Sequence, residues 1–173
     1  IKYASFEIYV ITTMRGNSIM GMMSLIVQIT KGVTIMSDQS LKEFAKQYFD
    51  YLDPRDLDGL GTLFAPDVAF HGLAPQALNW EGVKGAMTEF FTAFPDSRMP
   101  LDDAIAEGDR VAMRHSFRGT HKAPFQGIPA TDKSVVVTAI VTVRLRNNKV
   151  VEGWLNADIF GMLQQLGVIP QPS

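Results

Sequence analysis

The chain has 173 residues (19.1 kDa), of which 46% are hydrophobic and 20% charged, the balance of one globular domain with room for a sizeable core. A net charge of −2 and a pI near 5.9 argue against the basic face that nucleic-acid binding needs. The absence of cysteine removes disulfides, thiolate nucleophiles and thiolate metal sites, and a cytoplasmic location is the expectation.

Residues 1–36 differ from the rest. They hold five of the nine methionines and carry Lys2, Arg15 and Lys31 against one acid, Glu7, leaving 13 basic and 17 acidic residues, a net of −4, for 37–173. Arg15 and the apolar run 19–29 imitate a secretory signal, but no small-x-small cleavage site follows. The run is also shorter than the ~20 apolar residues that span a bilayer, and no membrane association is expected. The folded unit is expected to begin near Met36. The preceding extension is read as poorly ordered, or as the product of an over-extended reading frame.

From Ser37 onward, Leu41, Phe44, Ala45, Tyr48, Phe49 and Leu52 recur at i, i+3, i+4, i+7, i+8 and i+11, the stripe of an amphipathic helix. Ser40 and Glu43 have capping-box spacing. Pro54 ends this helix, and a short one follows with Leu57, Leu60, Leu63 and Phe64. Residues 67–72 read as a short strand and 81–94 as a helix with Val83, Met87, Phe90, Phe91 and Phe94 on one side. Then 99–107, 110–121, 134–146 and 149–160 read as four strands of an antiparallel meander, separated by short turns. Helices first and strands afterwards give an α+β domain, with helices on one face of a curved antiparallel sheet.

In the strand 110–121, Val111, Met113, His115 and Phe117 share one face. His115 therefore points to the apolar side, as a hydrogen-bonded core residue or a pocket group. The strand 134–146 is apolar on both faces, so its second face should be covered by the helices or by a second subunit, a sheet-to-sheet homodimer.

No phosphate loop, GxGxxG, HExxH or GxSxG motif is present. His71, His115 and His121 are too dispersed for a convincing metal site, and the lysines sit at ends and turns. What remains is acid/base chemistry. In the last strand Trp154, Asn156, Asp158 and Phe160 alternate onto one face. A carboxylate among aromatic neighbours suits a general acid/base, and it suits equally the N-cap of the following helix. His71, before Gly72, faces a pocket mouth or is an exposed turn residue. Trp80, Trp154, Phe117, Phe125 and Phe91 line a pocket or form ordinary core.

Gly119-Thr120-His121 with Phe125-Gln126-Gly127-Ile128-Pro129-Ala130-Thr131 resembles the GTH…F-x-GIPAT signature of the SnoaL-like polyketide (ester) cyclases. The segments Phe94-Pro95-Asp96, Glu107-Gly108-Asp109-Arg110-Val111, Lys149-Val150-Val151-Glu152-x-Trp154-x-x-x-Asp158 and Gln164-Gln165-Leu166-Gly167-Val168-Ile169-Pro170 extend the resemblance over roughly 40–170. It implies the cone-shaped α+β barrel of the nuclear-transport-factor-2-like (cystatin-like) superfamily, with a deep pocket and dimers through the sheet. It also implies an aldol-type ring closure on a hydrophobic polyketide-like molecule, without metal or organic cofactor. Asp158 would be the general acid/base and His71 its assistant, with His115, His121, Phe117, Trp154, Asn156 and Trp80 around the substrate. Two departures are turn substitutions: Thr131-Asp132-Lys133, and Asn147-Asn148 before Lys149. A related isomerisation, a non-catalytic ligand-binding accessory module and an epoxide hydrolase are the alternatives, because a family fold supports the pocket better than the substrate.

Overall fold

The computed structural model describes residues 38–170; the expectations for residues 1–36 lie outside that range. Helix α1 (Asp38–Leu52) buries the whole expected stripe, every member at 5% exposure or less. It begins earlier than a capping box at Ser40 requires, so Ser40 and Glu43 lie inside it, and Glu43 accepts instead from the Gln39 amide at 3.3 Å. Helix α2 (Leu57–Gly61) is one short turn, capped by Asp56, which accepts from the Gly59 N–H at 2.8 Å.

Strand β1 (Phe64–His71) starts before the expected 67–72, because Pro66 sits inside it rather than ahead of it. Proline lacks the N–H that a ladder needs and is tolerated on an edge strand or at a bulge. Here both conditions hold: β1 is an edge strand, and its register shifts between Phe64 and Ala69. Asn79 caps helix α3 (Trp80–Ala93), accepting from Gly82 N–H at 3.0 Å.

The remaining elements are β2 (Leu101–Glu107), β3 (Arg110–Thr120), β4 (Ser134–Arg146), β5 (Lys149–Ala157) and α4 (Ile159–Leu166). The sheet order is β1-β5-β4-β3-β2. The expected meander β2–β5 is antiparallel, but β1 returns parallel to β5. The α+β class is therefore as read from the sequence, with a sheet that is mixed rather than wholly antiparallel and open rather than closed.

The turn departures are accommodated locally. Asn147 and Asn148 both have positive φ, 51° and 59°, the conformation a tight two-residue hairpin demands and asparagine tolerates. Asp132 takes φ +58° and its carboxylate pairs with Lys122 at 2.9 Å.

Helix α1 packs on β2 and β3, α3 on β1 and α4 on β4. These helices cover the sheet face formed by Val111, Met113 and Phe117 of β3, Val137, Val141 and Val143 of β4, and Val150 of β5. Full burial of one such side chain contributes about 1.5–3 kcal/mol. The opposite face of β4 is not covered by the helices: Val136 is 54% and Ile140 45% exposed. Among the described residues no helix covers that face, so the double burial expected for this strand is not met there.

Among the described residues, no helix is long and apolar enough to cross a membrane, and no group of three His, Asp or Glu side chains is placed to hold a metal ion.

Candidate active site

Between α1, α3, α4 and the covered sheet face lies a cavity of about 370 Å³, within the range of small-molecule sites. Its walls are apolar: Leu60 beyond α1, Val83, Met87 and Phe90 from α3, Val137 and Val141 from β4, Met162 from α4. Polar groups are few. They are Tyr48 and His115 in the interior, Gln126 in the loop after β3, and Asn156 and Glu89, both exposed at the opening.

Gly72 helps shape this wall. At φ +94°, with a Cβ position 2.2 Å from the Leu155 carbonyl oxygen, only glycine lets the chain turn so closely against β5.

His115 sits mid-strand on β3, paired with Leu101 of β2 and Ala139 of β4. It is 6% exposed, its ring lies 5.0 Å from that of Phe49, and its Nδ1 has no hydrogen-bond partner. Burial pushes its pKa below the ordinary imidazole value, against smaller upward pulls from the Met113 carbonyl and the Asp102 carboxylate. Burial likewise raises the Tyr48 phenol far above its usual range. Both groups are thus neutral at physiological pH. A neutral imidazole with an open ring nitrogen can accept a proton, and a buried phenol can donate a hydrogen bond.

Two other candidates also lie on the cavity wall, Phe117 and Asn156. Phe117 stands edge-on to Phe90 at 4.6 Å. The remaining five are elsewhere. Asp158 follows the end of β5 as the N-cap of α4, exposed, accepting from Gly161 N–H at 2.8 Å. Its neighbours Ala157 and Ile159 line the cavity, but Asp158 does not. Of the expected common face, Trp154 and Asn156 do share one side of β5, paired with Thr142 and Ile140, while Asp158 lies beyond the strand's end. The strand stops at Ala157, and β5 turns Gly153 and Leu155, paired with Val143 and Val141, to the covered side.

His71 and Trp154 are neighbours in register on the other side of the sheet, rings stacked 5.6 Å apart. There His71 Nε2 is 3.9 Å from Glu152, which also receives two hydrogen bonds from Arg144. The pocket-mouth position expected for His71 is corrected in the same way: Phe70 takes the inward place and alternation sends His71 out.

His121 is fully buried beneath the loop it opens. It is stacked on Phe94 at 5.1 Å, with Nδ1 at 3.2 Å from the Thr131 hydroxyl and Nε2 unpartnered. Trp80 packs on Phe64 at 4.7 Å and over Gly61. Neither lines the cavity.

Sequence reading passed over Tyr48, Gln126 and Met162 as cavity residues. Tyr48 carried the one available signal, a phenol within an otherwise apolar helical stripe.

A second groove, of about 420 Å³, lies on the outer face between Arg98, Arg118, Thr120 and Ser134. It is open to solvent. Its carboxylate, Asp96, is already occupied by the Thr120 N–H and hydroxyl at 2.7 Å each.

A family model described as SnoaL-like polyketide cyclase matches residues 42–166. Among solved structures, IdmH of Streptomyces antibioticus, named as a candidate polyketide cyclase, is 31% identical with a TM-score of 0.65, covering 73% of this chain and 98% of its own. AclR of Streptomyces galilaeus, named as a candidate hydroxylase, is 26% identical with a TM-score of 0.71, covering 78% and 100%. A candidate SnoaL-like polyketide cyclase of Jannaschia, at 22% identity and a TM-score of 0.68 over 77% and 95%, shares the fold. No curated protein matches the chain.

Proposed function

This chain belongs to the SnoaL-like polyketide cyclase family, and from that premise we propose that it closes a ring in a hydrophobic, polyketide-like small molecule by cofactor-independent acid/base chemistry of the aldol type. The observation that carries the reading is the cavity of about 370 Å³, apolar on nearly all sides, with neutral polar groups inside. A flexible ligand with reactive carbonyls folds there into a near-attack geometry, and only a proton has to move.

The assignment of Asp158 as acid/base rests on the W-x-x-x-D spacing, and His71 on its place after the first strand. The cap bond gives Asp158 a structural task as well. Incubating the protein with hydrophobic β-keto esters that carry a second carbonyl in reach tests the function. Ring-closed product above the buffer rate is expected, and ligand bound without product would refute it.

A second reading, a non-catalytic ligand carrier with the same cavity, is favoured by the exposure of Asp158. Epoxide hydrolysis has less to support it. That chemistry needs a carboxylate deep in the cone, and the carboxylate lining this cavity is Glu89, exposed at the opening.

The bare apolar positions on the outer face of β4, Val136 and Ile140, support a homodimer through the sheet, and cysteine-free composition supports work in the cytoplasm. Sedimentation of I140E measures the first: a shift to monomer is expected, and an unchanged wild-type profile of one chain would end that part of the reading.

A further inference from the structure

We infer that His115 is the proton-transfer group of the cavity, taking the hydrogen from a carbon next to a carbonyl of an uncharged ligand and returning it to the oxygen formed on ring closure. The inference rests on the cyclase reading above. It also goes beyond the motif, which points to the last strand rather than to β3.

Of the three histidines, one meets the cavity. His71 is outside, on the far face of the sheet, and His121 is sealed beneath the loop after β3. His115 is 6% exposed and lines the cavity; its Nδ1 is sealed within the protein, so Nε2 is the ring nitrogen left accessible. Ala139 beside it on β4 is small, so no large side chain from that strand covers the imidazole. Phe49 from α1 packs against the ring.

The step balances without any co-reactant. The Nε2 lone pair takes the proton, and the C–H electron pair becomes an enolate. The enolate carbon bonds to a second carbonyl carbon of the same molecule, and its C=O π pair moves to oxygen. That oxygen takes the proton back from the imidazolium. The product is an isomer and His115 is regenerated. Tyr48, whose phenol burial keeps protonated, is a neutral donor for the enolate oxygen in the same cavity.

The charged or titratable groups facing His115 are few. From β2 there is Asp102, itself paired with Arg114 at 3.2 Å; from α1 there is Tyr48; at the opening, on α3, there is Glu89; from β4 the facing residue is Ala139. Burial outweighs Asp102, so the resting imidazole is the free base.

The test uses α-tetralone, an uncharged bicyclic ketone, and follows exchange of its α-hydrogens in D₂O by NMR. Wild-type protein is expected to accelerate exchange, with a rate that rises as pH climbs through a value below the ordinary imidazole pKa and is flat above it. H115N is expected to bind α-tetralone within about threefold of wild type and to lose exchange by at least ~100-fold, the scale of general-base catalysis.

Exchange surviving in H115N overturns the inference. If D158N then loses it, the base is Asp158 and the cyclase reading stands. Wild-type binding without exchange overturns both and leaves the carrier. Should H115N not fold, histidine-ring NMR of the wild type decides: the His115 signal must titrate below the ordinary range and move on adding α-tetralone, and a signal that does neither overturns the assignment.

Discussion

Asp158 carries two distinct expectations that one pair of substitutions separates. Its carboxylate accepts from the Gly161 N–H at 2.8 Å at the start of α4, a helix of eight residues that brings Met162 to the cavity wall and Leu166 to the core. An N-cap side chain satisfies a backbone donor that the helix cannot, and its loss to alanine costs about 1 kcal/mol. Asparagine keeps an acceptor oxygen at the same place and is as good a cap, but it cannot exchange a proton. D158A should therefore lower the stability of the domain by about 1 kcal/mol, a fall of roughly 3 °C in Tm, while D158N should leave Tm nearly unchanged. The assay is thermal unfolding of the three proteins side by side with turnover of an accepted substrate. If D158N matches wild type in both stability and turnover, the residue is a cap alone. A D158N that unfolds as early as D158A would refute the capping argument itself, because the oxygen would not then be what holds the turn.

Three further outcomes follow from packing and charge. Gly153 has no room for a methyl group: a Cβ there would stand 2.5 Å from the Phe70 ring, so G153A is expected to cost about 1–3 kcal/mol through overpacking, measured by urea unfolding, and a neutral result would mean Phe70 moves freely. Met113, fully buried at the centre of β3, should lose about 2–5 kcal/mol on truncation to alanine; a loss below 1 kcal/mol in the same assay would mean the core closes around the gap. The Asp96 carboxyl is held below the usual carboxylate range first by the Thr120 N–H and then by its hydroxyl. A depressed native pKa adds stability above the unfolded value and loses it as pH falls through the native one. The stability advantage of wild type over D96N should thus be full at neutral pH and vanish in strong acid, and an advantage that persists unchanged into acid would contradict the hydrogen bonds seen here.

Much of the architecture was readable because it is local. The helical stripe from Leu41 to Leu52, the polarity of β3 and the hairpin at Asn147-Asn148 depend on periodicities of a few residues and on which side chains tolerate positive φ, and all three stand in the structure. The inward turn of His115 was legible for the same reason. The Gly-Thr-His and Trp-x-x-x-Asp segments also pointed to the family whose model matches residues 42–166. Register and closure were not legible. Whether Trp154 or Leu155 faces the cavity depends on β5 pairing Gly153 with Val143 and Leu155 with Val141, and on which side the helices pack. A one-residue difference in that choice sends every side chain to the other face. For that reason the sequence by itself specified a carboxylate at the end of the last strand and histidines at 71, 115 and 121. Only the tertiary structure decided that Asp158 caps a helix at the rim, that His71 stacks outside and that His115 alone of the histidines meets the cavity.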